Sequence, residues 1–263
     1  QGSAPSHPRL LDWLSREFVS RGWDVKQLVR TLVCSSTYRQ QSTASAQARS
    51  LDPENQLYSR ATSYQLSAEM IRDNALAVSD LLVARLGGPS VRPYEVAVSF
   101  KPVKRDDGAG LYRRSVYTYW KRTGPAPAMM ALDASKRDIC VVKRERTSSP
   151  VQALVMLNDP QLVEASRILA HQLVKRHGEN SGQIVVEAFR RLTSRRPSDG
   201  EKQVLVQLYQ EQLDHYAENP EAAVALLATG QARPAGELPA GQVAAVTIVV
   251  NMLMNFDACV MKK

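Results

Sequence analysis

Apolar residues recur at helical spacing over most of the chain, and residue types that start or stop helices separate these runs. The first helix is predicted to begin after an N-cap at Ser6 and to stop at Gly22. A second helix is predicted after an N-cap at Asp24, and the Ser- and Gln-rich residues 40–55 are expected to form a loop. A longer amphipathic helix is predicted from Ser67 to Leu86.

Helix start signals return after residue 147. A small polar residue followed by proline can cap a helix whose first position the proline occupies. The predicted starts are Ser149-Pro150, Asp159-Pro160, Asn219-Pro220 and the capping box from Ser198 to Glu201. Two further helices are predicted over Gln183–Leu192 and Pro239–Phe256.

Residues 88–146 have a different character, because proline, glycine, β-branched and aromatic residues become frequent. Arg113 to Arg122 alternates as a strand does, and Met129 to Leu132 is a candidate partner strand after a proline-rich turn. The predicted fold is therefore mainly α. It is a single helical domain over residues 1–263 with a small β-hairpin-like insertion in the middle. Its parts are N-terminal helices (1–87), a basic irregular or β segment (88–146) and C-terminal helices (147–263).

The positive charge of the chain is concentrated in this middle segment. Residues 101–146 hold twelve Lys and Arg against five Asp and Glu, an excess of seven within a net charge of +8. Such a cluster indicates either an anionic partner or a hub of internal ion pairs.

Several functional classes lack their sequence signatures. The most apolar segment, Val243 to Met254, is too short to cross a bilayer, so no membrane span is predicted. No metalloprotease, dinucleotide, P-loop, nucleophile-elbow or EF-hand motif occurs, so neither a metal nor a cofactor is expected in this chain. The four histidines are expected at the surface or at helix caps. The three cysteines, Cys34, Cys140 and Cys259, are expected to be small buried hydrophobes, although a disulfide between two of them stays open.

The basic and aromatic run is the first candidate binding site. Planar rings combined with guanidinium groups suit a sulfated or uronic-acid polysaccharide, and they also suit single-stranded nucleic acid. The alternative is a packed strand whose aromatic residues enter the core and whose arginines pair with Asp133, Asp138 and Glu145. The candidate residues are Arg113, Arg114, Tyr117, Tyr119, Trp120 and Arg122.

A second candidate anion site lies at a predicted helix start. Arg144 and Arg146 precede Ser149, and free backbone N–H groups at a helix N-terminus bind anions. The alternative is that Ser149 only caps the helix while the two arginines tie loops to acidic neighbours. Asp133 is either a general base beside these arginines or a structural ion-pair partner. Asp159 is interpreted as a helix cap.

Several runs resemble one known family over nearly the whole chain. They include His7-Pro-Arg-Leu-Leu-Asp-Trp-Leu, Gly22-Trp-Asp-Val-Lys, Ser36-Thr-Tyr-Arg-Gln, Leu51-Asp-Pro-Glu-Asn, Ala68-Glu-Met-Ile-Arg-Asp, Gly87-Gly-Pro-Ser-Val and the stretch from Tyr112 to Ala165. The chain resembles the planctomycete cytochrome-c-associated family called domain of unknown function 1553. Relative to that family, the chain looks clipped at its N-terminus.

The resemblance implies a cellular setting and no reaction. Members usually form the C-terminal part of large exported proteins with haem-binding, cytochrome-c-like segments upstream, so haem is expected only in those segments. The implied location is the periplasm or cell surface, and the implied partners are the upstream domains. We therefore expect a non-catalytic module for assembly or polyanion contact. The alternative is an enzyme or binding domain for an anionic polysaccharide, and nucleic acid ranks last because an exported setting disfavours it.

Overall fold

The computed structural model describes residues 4–96, 102–121, 124–137, 139–141 and 143–262, and helices dominate these ranges. The prediction of a mainly α fold is therefore confirmed. The chain divides into two units, residues 1–64 with 262–263 and residues 65–261. The expectation of one domain over residues 1–263 stays a prediction.

The described residues of the first unit form the helices Pro8–Ser20 (α1), Val25–Cys34 (α2) and Ala46–Leu51 (α3). α1 begins one residue later than predicted, because His7 takes the N-cap position and Pro8 the first helical position. Asp24 caps α2 as predicted, and its carboxylate accepts the backbone N–H of Gln27 at 3.0 Å. The local start signals of this unit therefore hold to within one residue.

α3 corrects the prediction of a loop over residues 40–55. Ser45 caps this short helix by accepting the backbone N–H of Ala48 at 3.1 Å. The polar composition concealed a capped helical turn, because α3 has no buried residue and therefore no apolar periodicity.

The described residues of the second unit form nine more helices. They are Ala68–Val78 (α4), Pro127–Ala131 (α5), Pro150–Asn158 (α6), Pro160–His177 (α7), Ser181–Thr193 (α8), Asp199–Glu218 (α9), Pro220–Leu227 (α10), Ala240–Met254 (α11) and Asp257–Val260 (α12). Two-residue strands, Tyr64–Gln65 (β1) and Met261–Lys262 (β2), pair as a two-stranded sheet. The predicted helix starts after residue 147 are all present.

α11 lies at the centre of the second unit and packs against α7, α8, α9 and α10. Ala244 and Ala245 are fully buried, and these small side chains let neighbouring helices approach closely. Val246 and Val250 are also fully buried, and each contributes roughly 1.5–3 kcal/mol of apolar burial. The apolar run predicted to be a buried helix is therefore a core helix. No helix among the described residues is long and apolar enough to cross a membrane.

α4 is shorter than predicted, because it ends at Val78 and not at Leu86. The Ser79 hydroxyl donates back to the carbonyl of Ala75 at 2.8 Å, and Asp80 then adopts a positive φ of 59°. That left-handed residue reverses the chain, and the backbone N–H of Leu81 returns to the carbonyl of Leu76 at 2.9 Å.

The predicted strand over residues 113–122 is wrong for the part that the structure describes, and Arg122 lies outside the described residues. A 3₁₀ turn covers Ser115–Tyr117, because Asp73 accepts both the N–H and the hydroxyl of Ser115, at 2.8 and 2.6 Å. Isolated bridges join Val83 to Arg113 and Val91 to Thr118. The predicted partner strand at Met129 lies in α5, which Pro127 starts.

Candidate functional site

Arg113 is buried and holds a loop by its backbone. Its guanidinium donates to the carbonyls of Pro89 at 2.9 Å, Arg85 at 3.1 Å and Gly87 at 2.5 Å. The same group lies 3.8 Å from the ring centroid of Tyr117, whose hydroxyl accepts the N–H of Gly87 at 2.8 Å. Both side chains are therefore occupied within their own fold.

Arg114 and Arg144 contact carboxylates on α4. Arg144 Nη1 lies 2.9 and 3.0 Å from the two carboxylate oxygens of Glu69. Arg114 Nε lies 3.6 Å from Asp73. Both arginines are exposed, so each pair contributes little to stability. They line an open groove of about 820 Å³ together with Met70.

Asp133 is the centre of a hydrogen-bonded turn. Its Oδ2 accepts the N–H and hydroxyl of Thr147 at 2.6 and 2.7 Å and the amide of Gln152 at 3.0 Å. Partial burial acts to raise the pKa of Asp133, but the bonds from Thr147 and Gln152 outweigh it, and the pKa is lowered. Asp133 is therefore an ionised acceptor at neutral pH. Ser149 and Gln152 form a capping box at the start of α6.

The remaining candidates lie in separate places. Trp120 packs against the core, donates from Nε1 to the carbonyl of Lys136 at 2.7 Å and lies 4.8 Å from the Arg137 guanidinium. Tyr119 is exposed, and its carbonyl accepts the hydroxyl of Tyr94 at 2.6 Å. Arg146 lines a small cleft with Asp133 and Arg144. The structure thus brings those three together and leaves Arg113, Tyr117, Tyr119 and Trp120 in contacts elsewhere.

A cavity of about 430 Å³ lies in the second unit between α4, α5 and the start of α7. Its walls are mostly apolar. The apolar lining residues are Ala68, Ile71, Pro93, Leu111, Ala126, Pro127, Ala128, Met129, Leu132, Pro160 and Leu162. Its polar residues are Arg72, Tyr94, Glu95, Arg105, Asp159, Gln161 and Glu164. A concave apolar site with a few polar groups is the usual form of a small-molecule site.

Arg72 lies in the wall of this cavity with its donors directed into the protein. It donates to Gln161 Oε1 at 2.5 Å, to the carbonyls of Leu111 at 2.7 Å and Arg113 at 2.9 Å, and to Ser115 Oγ at 3.0 Å. Burial lowers the pKa of the guanidinium to about 10, although the Asp73 and Asp159 carboxylates oppose this shift. Arg72 therefore remains charged and is held by four acceptors.

Two carboxylates, of the N-cap residue of α7 and of Glu164 within α7, face the same cavity. Asp159 caps the helix as predicted, and its Oδ1 accepts the N–H groups of Gln161 and Leu162 at 3.0 and 3.2 Å. Burial raises the pKa of Asp159, although those two bonds and the charge of Arg72 act in the opposite direction. Glu164 is buried, and a Cβ at Gly230 would lie 2.3 Å from its carboxyl carbon. Only glycine therefore fits beside Glu164.

Sequence reasoning missed Arg72 and Glu164. Each is a charged residue on the apolar face of its helix. Arg72 shares the face of α4 with Ile71, and Glu164 stands between Val163 and Ala165. Buried charges require partners, so a charge on the apolar face of a helix is the signal that could have identified them.

The histidine and cysteine predictions hold in part. His171 is buried, which contradicts the surface prediction, and it lies 3.2 Å from the carbonyl of Gly236. Cys259 is buried as predicted, whereas Cys34 and Cys140 are exposed, and all three cysteines are free. No metal-binding group of three or more His, Cys, Asp or Glu occurs among the described residues.

Comparison with known proteins identifies a family and no activity. The family model described as "Protein of unknown function (DUF1553)" matches residues 1–209. No curated protein and no solved structure matches the chain. Because the family match covers well over half of its residues, the chain belongs to the DUF1553 family of proteins of unknown function.

Proposed function

We propose that this chain is a non-catalytic assembly module of an exported, cytochrome-c-linked multidomain protein of the periplasm or cell surface. The observation that carries the proposal is the apolar surface of α1 and α2, which we call the hairpin face. None of their residues is buried, and the structure describes both helices completely. The hairpin face consists of Leu10, Leu11, Trp13, Val19, Val25, Val29, Leu32 and Val33.

The hairpin face is too apolar to be explained by contact between α1 and α2 alone. Phe18 and Leu28 are half-buried in the hairpin, whereas Leu11, Trp13 and Val29 remain 53, 51 and 50% exposed. Large exposed apolar surface usually marks a protein–protein or membrane contact site. The face therefore has the composition of an interface.

We assign the covering surface to an upstream, cytochrome-like domain of the same parent protein. The resemblance described above supports this partner, since it implies such domains and haem within them. The internal contacts of the basic segment support a role without catalysis. Arg113, Arg114 and Arg144 all contact groups of their own fold, and Asp133 carries three donors with a lowered pKa.

The test is association between this chain and the upstream part of the parent protein, produced as a separate polypeptide. Calorimetry should show binding, and the pair Leu11→Asp and Val29→Asp should weaken it by about tenfold or more, because two charges would be desolvated at the interface. Arg16→Asp changes the charge of an exposed residue of α1 but leaves every apolar residue of the hairpin face in place. It is the matched control and should change the affinity by less than about threefold. Equal binding by the double variant would refute the assignment, and so would the absence of any association.

The alternative is an enzyme or binding domain for an anionic polysaccharide. It requires Arg144 and Trp120 to contact the glycan, so Arg144→Ala and Trp120→Ala should each lose selective binding to a sulfated glycan over a neutral glycan. The assembly proposal instead expects weak binding that vanishes with added salt and that changes equally in Arg30→Ala, an exposed arginine of α2. Salt-resistant, glycan-selective binding that both variants abolish would favour the alternative.

A further inference from the structure

In the cavity between α4, α5 and α7, the hydrogen-bond donors of the interior are already bonded to protein acceptors. The donors in its interior are engaged, since Arg72 makes four bonds to protein acceptors and the first N–H groups of α7 are bonded to Asp159. Gln161 is also engaged at both ends of its amide, because Oε1 accepts from Arg72 and Nε2 donates to the carbonyl of Leu111 at 2.8 Å. An anionic ligand would therefore meet no uncommitted donor among these groups.

Carboxylates outnumber guanidinium groups in the interior lining of the cavity. Asp159 and Glu164 both line it. Behind the wall, Arg167 interacts with the charge of Glu164, and Asp73 lies 3.6 Å from both Arg72 and Arg114. Arg72 is the interior cation of the lining, while Glu95 and Arg105 are exposed and opposite in sign at the mouth. The interior lining thus holds two carboxylates and one guanidinium, and the hydrogen bonds of that guanidinium are committed. A carboxylate in an apolar cavity is stabilised by a cation that enters with it.

From this arrangement we infer that the cavity binds a small organic cation, an aliphatic or aromatic body that carries one ammonium group. The body would contact Ile71, Met129, Leu132 and Leu162 in the apolar walls. The ammonium would be held by Asp159, from the side of the cavity where α7 begins. A volume of about 430 Å³ is within the range of ligand sites and admits a body of drug-like size.

This site is independent of the assembly role, because it lies wholly in residues 65–261 and involves neither α1 nor α2. It also differs from the predicted anion sites, which involve other residues and the opposite charge of ligand. The inferred ligand is a free small molecule with one ammonium group.

The test uses three probes with one apolar body: 4-phenylbutylammonium, 4-phenylbutanol and 4-phenylbutyrate. Calorimetry on the full chain at about 150 mM salt screens out loose surface attraction. The ammonium compound should bind at least about tenfold more tightly than the other two, since a charge-assisted hydrogen bond contributes more than a neutral one. Comparable binding of all three probes would overturn the inferred charge class. The absence of binding up to about 1 mM would overturn the site.

Two variants locate the binding. Asp159→Asn keeps a good N-cap for α7 but removes the charge, so the preference for the ammonium probe should fall by about tenfold or more. Asp24→Asn is the matched control, because Asp24 caps α2 in the same way and does not line the cavity. Ala128→Trp fills the cavity from α5 and should abolish binding of all three probes.

The variants also provide results that would refute the inference. If Asp159→Asn left the affinity for the ammonium probe unchanged, Asp159 could not be the residue that binds the ammonium group. Unchanged affinity in Ala128→Trp, with a circular dichroism spectrum like that of the wild type, would place the binding elsewhere on the chain.

Discussion

The hydroxyl of Tyr112 donates to Oε1 of Glu164 at 2.7 Å, and both residues are buried. The backbone N–H groups of Gln231 and Ala232 donate to the same oxygen at 2.6 Å each. One carboxylate of α7 therefore joins the segment before Arg113 to the loop before α11. Burial and the bond to Glu164 raise the pKa of Tyr112, so the phenol stays neutral and remains a donor.

Tyr112→Phe should lower the free energy of unfolding by about 1–2 kcal/mol, because Glu164 would lose one donor and remain buried. Urea denaturation followed by circular dichroism measures the change. Tyr119→Phe is the control, since the Tyr119 side chain is exposed and its loss should be below about 0.5 kcal/mol. Equal losses in the two variants would contradict the role given to the Tyr112 hydroxyl.

Arg72→Lys should destabilise the chain by about 2–3 kcal/mol although the charge is kept. A lysine places its donors around one nitrogen and cannot reach four acceptors arranged about a planar fork. Arg30→Lys on exposed α2 provides the comparison and should leave the unfolding midpoint nearly unchanged. A tolerated Arg72→Lys would mean that the fork geometry contributes little.

Asp133 should titrate as a structural carboxylate and not as a general base. Its pKa is lowered, so the stability it contributes is present above the ordinary value of 3.8 and is lost as pH falls through its lower folded value. Nuclear magnetic resonance titration of its carboxyl carbon gives the pKa directly. A pKa near neutrality would support the hypothesis that Asp133 acts as a general base.

Asp133 also has a positive φ of 60°, so two substitutions at this position should differ in their cost in stability. Asp133→Asn should cost about 1 kcal/mol, because asparagine tolerates the left-handed region and still accepts from Thr147. Asp133→Ala should cost about 2–3 kcal/mol, because it loses the acceptor and adopts a strained backbone. Thermal unfolding of the two proteins at neutral pH measures the difference, and equal stability would contradict both contributions.

The start of α9 should show a defined loss of stability in acid. The bond from Arg195, then the N–H of Ser198, lower the pKa of Glu201 from 4.5 to about 2, despite slight desolvation. The stabilisation is therefore complete above about pH 4.5 and disappears as pH falls through about 2. The free energy of unfolding of Glu201→Gln should be lower than that of the wild type by a constant amount at higher pH. The two free energies should become equal in acid. Glu218→Gln, at the other end of α9, should show no such loss at neutral pH.

The sequence predicted features whose cause lies within a few residues. Asp24, Ser198 and Pro160 start helices through contacts with the next turn, so their positions could be inferred directly. The end of α4 could not, because the reversal at Asp80 depends on a backbone conformation that its residue type permits but does not require.

Only part of the candidate site could be predicted, because some of its contacts join residues that are distant in the sequence. Asp133, Arg144 and Arg146 do share a cleft, but the carboxylate that pairs with Arg144 is Glu69, 75 residues away, and not the neighbouring Glu145. Partners at such separation depend on how helices pack, which one sequence does not reveal. The charge excess of the middle segment was a correct observation, and Arg113, Arg114 and Arg144 contact acceptors of the fold.

The shape of the loop from Arg85 to Pro89 depends on hydrogen bonds from Arg113, a residue outside the loop. Arg113 contacts this loop through three backbone carbonyls, which every residue type possesses. The side chains at Arg85 and Leu86 can therefore be exchanged while the path of the backbone is retained. The loop is therefore a suitable place to graft a new recognition sequence, because Arg113 would still hold its backbone through the same three carbonyls.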